Sequence, residues 1–290
     1  MKFRKTIFLI AVVVAAAVCA CGCAADNTVG SLDFTSESAS AEEKQEESSA
    51  DAAVSSENTD AQEVSDELST VIIGGEEYST DLTELNLSFK KLADEDIVNL
   101  KHMTKLTKLI LWNNEITDIT PLKNLTSLTF LGLSSNKISD LSPLSELTNL
   151  TELDLGDNQI SDISPLAALE KVTKLSLNEN QIGDISPLGR LTSLTELYLY
   201  DNLITDIGSL SAISSLTELD LHKNEIGDIS PLSGLTGLTR LVLWETGISD
   251  ISPLTGLTNL TFLNLCENDS LKQAQVDALK EKLPDCSIQF

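Results

Sequence analysis

The chain repeats itself every 22 residues, and this period limits its fold more than any other feature. Leu106, Leu109, Leu111, Asn114, Ile116, Ile119, Leu122 and Leu125 return 22 positions later as Leu128, Leu131, Leu133, Asn136, Ile138, Leu141, Leu144 and Leu147. The register continues from residues 150, 172, 194, 216 and 238, with Val172 standing for one leucine, and from 260 in part. A fixed period of this length is the signature of a stacked, quasi-one-dimensional architecture.

Each repeated position has a physical reason. The Leu-x-Leu pair reads as a short strand, with both leucines on one side and the residues around them on the other. One turn cannot bury its apolar face alone, so neighbouring turns must stack. The asparagine recurs as Asn114, Asn136, Asn158, Asn180, Asn202, Asn224 and Asn268. It stands where the chain bends inward. Its amide offers both a donor and an acceptor to backbone groups that the bend would otherwise strand. Thr246 interrupts the series and offers only a hydroxyl, which predicts a weaker turn. The segment Asp-Ile-Ser-Pro-Leu follows, as at residues 162–166, and six of the seven prolines sit in it, with Ser209 replacing proline once. Ser164 suits an N-cap and Pro165 a first helical position, which predicts a one-turn helix or 3-10 segment on the convex side.

These residues resemble the internalin-type leucine-rich repeats of bacterial surface proteins over about residues 80–268. The resemblance implies an α/β solenoid with a parallel β-sheet on the concave face and short 3-10 or helical convex segments. It also implies protein recognition by the concave face. Two features depart from it. No Ig-like or cell-wall sorting segment follows the repeats, and Val71-Ile72-Ile73-Gly74-Gly75 reads as a strand and turn rather than a helical cap. Anchoring and partner are therefore not carried over. The ends are irregular, as solenoid caps are. Leu85 and Leu87 form a first strand pair, with Lys90 at the asparagine position. A capping helix is expected over residues 271–283, started by Asp269 or Ser270 and stopped by Pro284, with a last strand around Cys286-Ser287-Ile288.

Three regions follow from composition. Residues 1–20 carry Lys2, Arg4 and Lys5 and then an apolar run over 7–18, too short to span a bilayer comfortably but suited to a secretory signal. The run ends in Val18-Cys19-Ala20-Cys21-Gly22-Cys23, which resembles a bacterial lipoprotein cleavage box. Cys21 fits lipid attachment best, with Ala20 before it; Cys23 is the alternative. Residues 21–70 form a Ser-, Ala- and Glu-rich linker. Between 24 and 70 it holds thirteen acidic residues and one lysine, Lys44. Such a segment is expected to be disordered and extended, reaching ~150–170 Å at most. Residues 71–290 form the repeat domain with its caps. The expected localisation is the outer face of a bacterial membrane, with the lipid as the only membrane contact.

The net charge is −26, of which the linker carries −12 and the N-terminal segment +3, leaving −17 for residues 71–290. There is no basic stripe, so a nucleic-acid partner is excluded. No phosphate loop, nucleophile elbow or zinc-binding His pair is present, which points to a non-enzymatic protein without cofactors. Of the two histidines, His102 precedes the regular repeats and is expected at the surface. The column Asp118, Asp140, Asp162, Asp184, Asp206, Asp228 and Asp250 follows the repeat, which favours a structural or solvated role over calcium binding. Cys266 aligns with outward positions such as Trp244, and Cys286 with inward leucines such as Leu263, so no disulfide is expected between them.

Binding residues must then be sought where the period leaves the choice free, at the outward strand positions. Both tryptophans and two of the three tyrosines fall there. Equivalent positions on adjacent strands are about 4.8 Å apart. Tyr200, His222 and Trp244 therefore form one row, with Tyr198, Asp220 and Val242 alongside and Trp112 toward the other end. Glu196, Glu218, Asp154, Asp157 and Asp201 edge the row, and Arg240 is placed to pair with Glu218. Clustered aromatics suit the anchor of a protein ligand. They also suit a glycan or cell-wall fragment stacked on the rings, and rings stacked only to support their own strands would suit a structural spacer.

Overall fold

In a computed structural model, residues 69–290 are described. They begin with an antiparallel hairpin, β1 (Thr70–Ile73) and β2 (Glu76–Ser79), turned by Gly74 and Gly75, both at positive φ. Ten parallel strands then form one sheet in chain order. They are β3 (Glu84–Asn86), β4 (Lys108–Ile110), β5 (Phe130–Gly132), β6 (Glu152–Asp154), β7 (Lys174–Ser176), β8 (Glu196–Tyr198), β9 (Glu218–Asp220), β10 (Arg240–Val242), β11 (Phe262–Asn264) and β12 (Ser287–Gln289). Between β4 and β11 the register pairs every residue with the one 22 positions on, Leu109 with Leu131 and so through to Leu241 with Leu263. The solenoid and its concave sheet are as the period predicts. Helix α1 (Asp94–Ile97) and a 3-10 turn (Val98–His102) follow β3, and α2 (Gln273–Lys282) precedes β12. No described helix is long and apolar enough to cross a membrane. The signal, the lipid-attachment cysteines and the acidic linker lie outside the described residues.

The repeat leucines and isoleucines form one continuous buried core running the length of the stack. The asparagines hold the inward bend. Asn136 Nδ2 donates to Leu133 O at 2.9 Å in its own turn and to Leu111 O at 3.0 Å in the turn before. Its Oδ1 accepts Ile116 N–H at 3.1 Å. Asn158, Asn180, Asn202 and Asn224 repeat this pattern. At Thr246 the hydroxyl donates to Leu243 O at 2.7 Å, and Ile226 N–H turns to the Thr246 carbonyl at 3.1 Å. One donor therefore does work shared elsewhere by two. Asn268 makes up part of the loss, its Oδ1 accepting Thr246 N–H at 3.1 Å and lying 3.2 Å from the Thr246 hydroxyl.

Two further columns were not read from the sequence. The residue before each ladder position (Asn113, Ser135, Asp157, Glu179, Asp201, Lys223, Glu245 and Glu267) is left-handed, with φ between 52° and 57°. None of them is β-branched, in keeping with the steric cost of that region. At the head of each strand a threonine hydroxyl donates to the threonine carbonyl one turn back, as in Thr151 to Thr129 at 3.0 Å and Thr239 to Thr217 at 3.0 Å.

Three local expectations need correction. The convex segments are 3-10 turns such as Ser164–Ala168, but Ser164 is their first residue rather than the cap. The preceding position, Ile163, has no capping group, so Asp162 reaches forward and its Oδ1 accepts Ser164 N–H at 2.8 Å. All seven aspartates of the column do the same at 2.7–2.8 Å, which gives the column its structural role. Helix α2 starts two residues later than expected. Gln275 rather than Asp269 or Ser270 closes its first turn, accepting Lys272 N–H at 3.0 Å. Finally, Ile288 pairs with Leu263, so Cys286 falls level with Thr261, not with an inward leucine. Cys266 is buried, Cys286 is half-buried, and the two are not joined in a disulfide.

Asn136→Ala strands the buried Ile116 N–H, a loss of about 1–3 kcal/mol, while the Leu111 and Leu133 carbonyls keep the amides of Asn114 and Asn158. It is expected to lower the unfolding free energy by about 1–3 kcal/mol in urea titrations. Thr246→Asn is expected to raise it, by about 1 kcal/mol, through the restored second donor.

Candidate functional site

The outward residues of β8 to β11 converge as a packed strip. Tyr200 and His222 stack with ring centroids 4.4 Å apart and planes 10° from parallel. His222 meets Trp244 edge-on at 4.8 Å and 61°. Asp220 fixes the middle ring, its Oδ1 lying 2.6 Å from His222 Nδ1 and accepting His222 N–H at 3.2 Å. Lys223 Nζ lies 5.0 Å over the Trp244 ring and 3.8 Å from Asp201. Tyr198 OH donates to Glu218 Oε2 at 3.2 Å, and Lys174 bridges to Glu196 at 2.9 Å. Arg240 stands opposite Glu218 in register, and its guanidinium packs 4.3 Å from the Phe262 ring centre.

The Tyr200–His222–Trp244 row is therefore assembled as expected and remains half-buried. Its companions differ from expectation. Tyr198 is 4% exposed, Asp220 4% and Val242 6%, so they are not open anchors. The concave curvature crowds the central column of each strand, and larger neighbours cover it. Of the three, Asp220 orients the row, through His222. Burial raises the pKa of Tyr198, reinforced by the charges of Glu218 and Glu196. Burial likewise raises Tyr200, reinforced by Glu179, Asp220, Asp154 and Asp201, so both tyrosines stay neutral donors at ordinary pH.

Trp112 is bound into a separate arrangement, about four strands from Tyr200, or ~19 Å. Its indole lies across Gly132 on the adjacent turn. A Cβ at Gly132 would fall 2.4 Å from Trp112 Nε1, so a larger residue there would displace the indole. Asp154, one turn further on, accepts Gly156 N–H at 3.2 Å, and the nearby Trp112 indole favours its charged form. Asp154 is buried, and burial pushes its pKa up to about 6 against the opposing influence of Gly156 N–H, Ser176 and Trp112. Trp112 thus closes over a buried carboxylate instead of extending the row. Among the described residues, no group of three or more His, Cys, Asp or Glu side chains could hold a metal ion.

A parallel sheet of three-residue strands, stacked on a 22-residue register with an asparagine at each inward bend, defines a leucine-rich-repeat protein. The family model of paired leucine-rich repeats matches residues 104–146, 126–168, 148–190, 170–212 and 192–234. Internalin C2 of Listeria monocytogenes is 36% identical, the match covering 68% of this chain and 86% of that one with a TM-score of 0.62. The chain belongs to the internalin-type leucine-rich-repeat family. It is also similar to a leucine-rich-repeat protein of Leptospira interrogans, at 27% identity and TM-score 0.63, covering 67% of this chain and 51% of that one. A third similar structure is the plant peptide hormone receptor RGFR1 in complex with RGF2, at 27% identity and TM-score 0.57, covering 69% of this chain and 33% of that one. None of the curated proteins matches the chain.

Because the folded state raises the Asp154 pKa, ionisation of this group opposes folding above about pH 6, and the penalty is relieved as pH falls through that value. Asp154→Asn keeps an acceptor for Gly156 N–H and removes the charge. It is expected to stabilise the protein at pH 7.5 by up to about 2–3 kcal/mol. It should also remove the Asp154 share of the stability change between pH 7 and pH 5, measured by thermal unfolding across that range.

Proposed function

We propose that the protein is a non-enzymatic binding protein, displayed on a bacterial cell surface, that recognises a protein partner through its concave face. The observation that carries this reading is the contact row of Tyr200, His222 and Trp244. The core beneath is filled by leucines, so the solenoid does not need three large rings at these positions. Aromatic residues held in fixed geometry are efficient anchors, because little conformational entropy is lost when a partner docks on them. A similar fold engages a peptide hormone in the plant receptor complex, which supports a protein or peptide ligand over a purely structural role.

The chain reaches its place of action, in this reading, by export and lipid attachment at Cys21, with Cys23 as the alternative. The acidic segment up to residue 70 then holds the repeat domain away from the membrane. Palmitate labelling is expected to be lost in Cys21→Ala. A variant that remains labelled and membrane-bound moves the attachment elsewhere.

The recognition reading is tested by affinity capture from envelope, host-cell and glycan sources with the full chain. A Tyr200→Ala/Trp244→Ala variant, checked for retained fold by circular dichroism, is the control. The expected result is a specific protein retained by the wild type and reduced at least tenfold by the variant. Equal retention by both proteins would overturn it. Glycan retention without protein would transfer the row to a sugar ligand.

A further inference from the structure

Beside the aromatic row, at the edge where the chain leaves the concave face, the solenoid has a notch. It arises from an interruption in one column of side chains. Glu115, Lys137, Gln159, Gln181, Leu203 and Glu225 occupy this column turn by turn, and Asp269 follows, but Gly247 stands between Glu225 and Asp269. Gly247 is left-handed at φ 74°, and a Cβ there would meet nothing within 4 Å. Gly227, on the preceding turn, is also left-handed and also faces open space. The turn concerned is the one in which Thr246 replaces the ladder asparagine. Gly227 and Gly247 border an open recess of about 810 Å³.

Two properties of its walls define what fits. The first is apolar: Leu203 borders the cavity and is 66% exposed. The fold does not require a leucine there. Leu203 N–H donates to Ile182 O at 2.9 Å just as Gln181 N–H donates to Ile160 O at 2.8 Å, so glutamine serves the same backbone one turn earlier. The second is charge. Asp201, Glu225, Glu245, Glu267 and Asp269 line the cavity against a single ammonium, Lys223. Lys223 is already engaged by Asp201 and by the face of Trp244. That engagement also makes the notch continuous with the aromatic row, since the Lys223 side chain is a wall of one and a cover of the other.

We infer that the notch is the second half of the docking surface and receives a lysine or arginine side chain of the partner, with an adjacent aliphatic residue resting on Leu203. The inference rests on the concave-face reading and specifies the partner's chemistry: an extended protein segment whose aromatic or apolar anchor meets the Tyr200–Trp244 row and whose basic residue enters the notch. Carboxylates around a recess favour a cation at a fixed distance from the row and repel acidic segments, so they select register as well as charge.

The test uses the full chain at 0.15 M salt against an array of twelve-residue peptides. These carry a basic residue beside leucine, a basic residue beside serine, leucine alone, or an acidic residue beside leucine, each with and without an aromatic residue. Basic-plus-leucine peptides with an aromatic residue should be retained most strongly. Leu203→Gln, which places in the column the residue already present at 159 and 181, should lower their retention at least threefold. Glu225→Gln/Glu245→Gln should lower it at least fivefold. The charge-matched variant Glu146→Gln/Glu170→Gln should change it less than twofold. Circular dichroism checks that each variant is folded. No preference for basic peptides, or an equal loss in the charge-matched variant, overturns the inference. If Tyr200→Ala/Trp244→Ala abolishes retention while the notch variants leave it unchanged, the notch is wrong and the concave reading stands. If neither set of variants alters retention, both are wrong.

Discussion

A chain that turns inward once every 22 residues carries backbone amides and carbonyls into an apolar interior, and the asparagine at each bend is what makes that possible. Leaving one such group without a partner costs about as much as several buried methylenes gain. The amide bonds its own turn and the one before it, as Asn136 does with Leu133, Leu111 and Ile116. Stability is therefore shared between neighbours and does not reside in single turns. Threonine hydroxyls at the strand heads and aspartates at the convex turns repeat the same solution at the other two places where the chain changes direction. With its corners satisfied, the stack requires only leucine and isoleucine inside.

Where that solution is altered, the surface alters with it. At Thr246 the ladder loses a donor, Ile226 takes a different acceptor, and glycines with positive φ stand at 227 and 247. The asparagine ladder is interrupted at the turn whose outward residue is Trp244. Beside it lie the exposed Leu203 and a recess edged by carboxylates. At the opposite end of the face, Trp112 lies against Gly132 beside the buried Asp154, so the same residue type serves the scaffold there. A tryptophan on the concave face thus has no single meaning. Its neighbours one and two turns away decide whether its indole is used up within the protein.

The concave face is also more closely packed than a simple alternation of inside and outside implies. Parallel strands on the inner side of a curved stack bring their central residues together, and bulky neighbours close over them. Tyr198, Asp220 and Val242 are covered for this reason. Their effect on recognition is indirect. Asp220 holds His222 between Tyr200 and Trp244, and Tyr198 is tied to Glu218. The row that remains accessible is held in place from below, which reduces the ordering cost of binding.

The sequence by itself determined the architecture. The leucine, asparagine and proline period was enough to place the parallel strands, the inward bends and the convex turns, because every turn makes the same contacts with the turns beside it. It also located the aromatic row and assigned the aspartate column to the scaffold. Other features were legible only in three dimensions. The left-handed column was hidden by mixed chemistry, Asn, Ser, Asp, Glu and Lys sharing one conformation. Capping by Asp162 in place of Ser164 depended on where the 3-10 turn begins, and the position of Cys286 on a strand register outside the period. The burial of Tyr198 and Asp220, the closure of Trp112 over Asp154 and the notch at Gly247 were decided by tertiary structure alone. The physical reason is that a period records contacts that every turn shares, whereas a site is made where unlike side chains on successive turns meet, and their sizes and the curvature of the sheet determine which of them stay open.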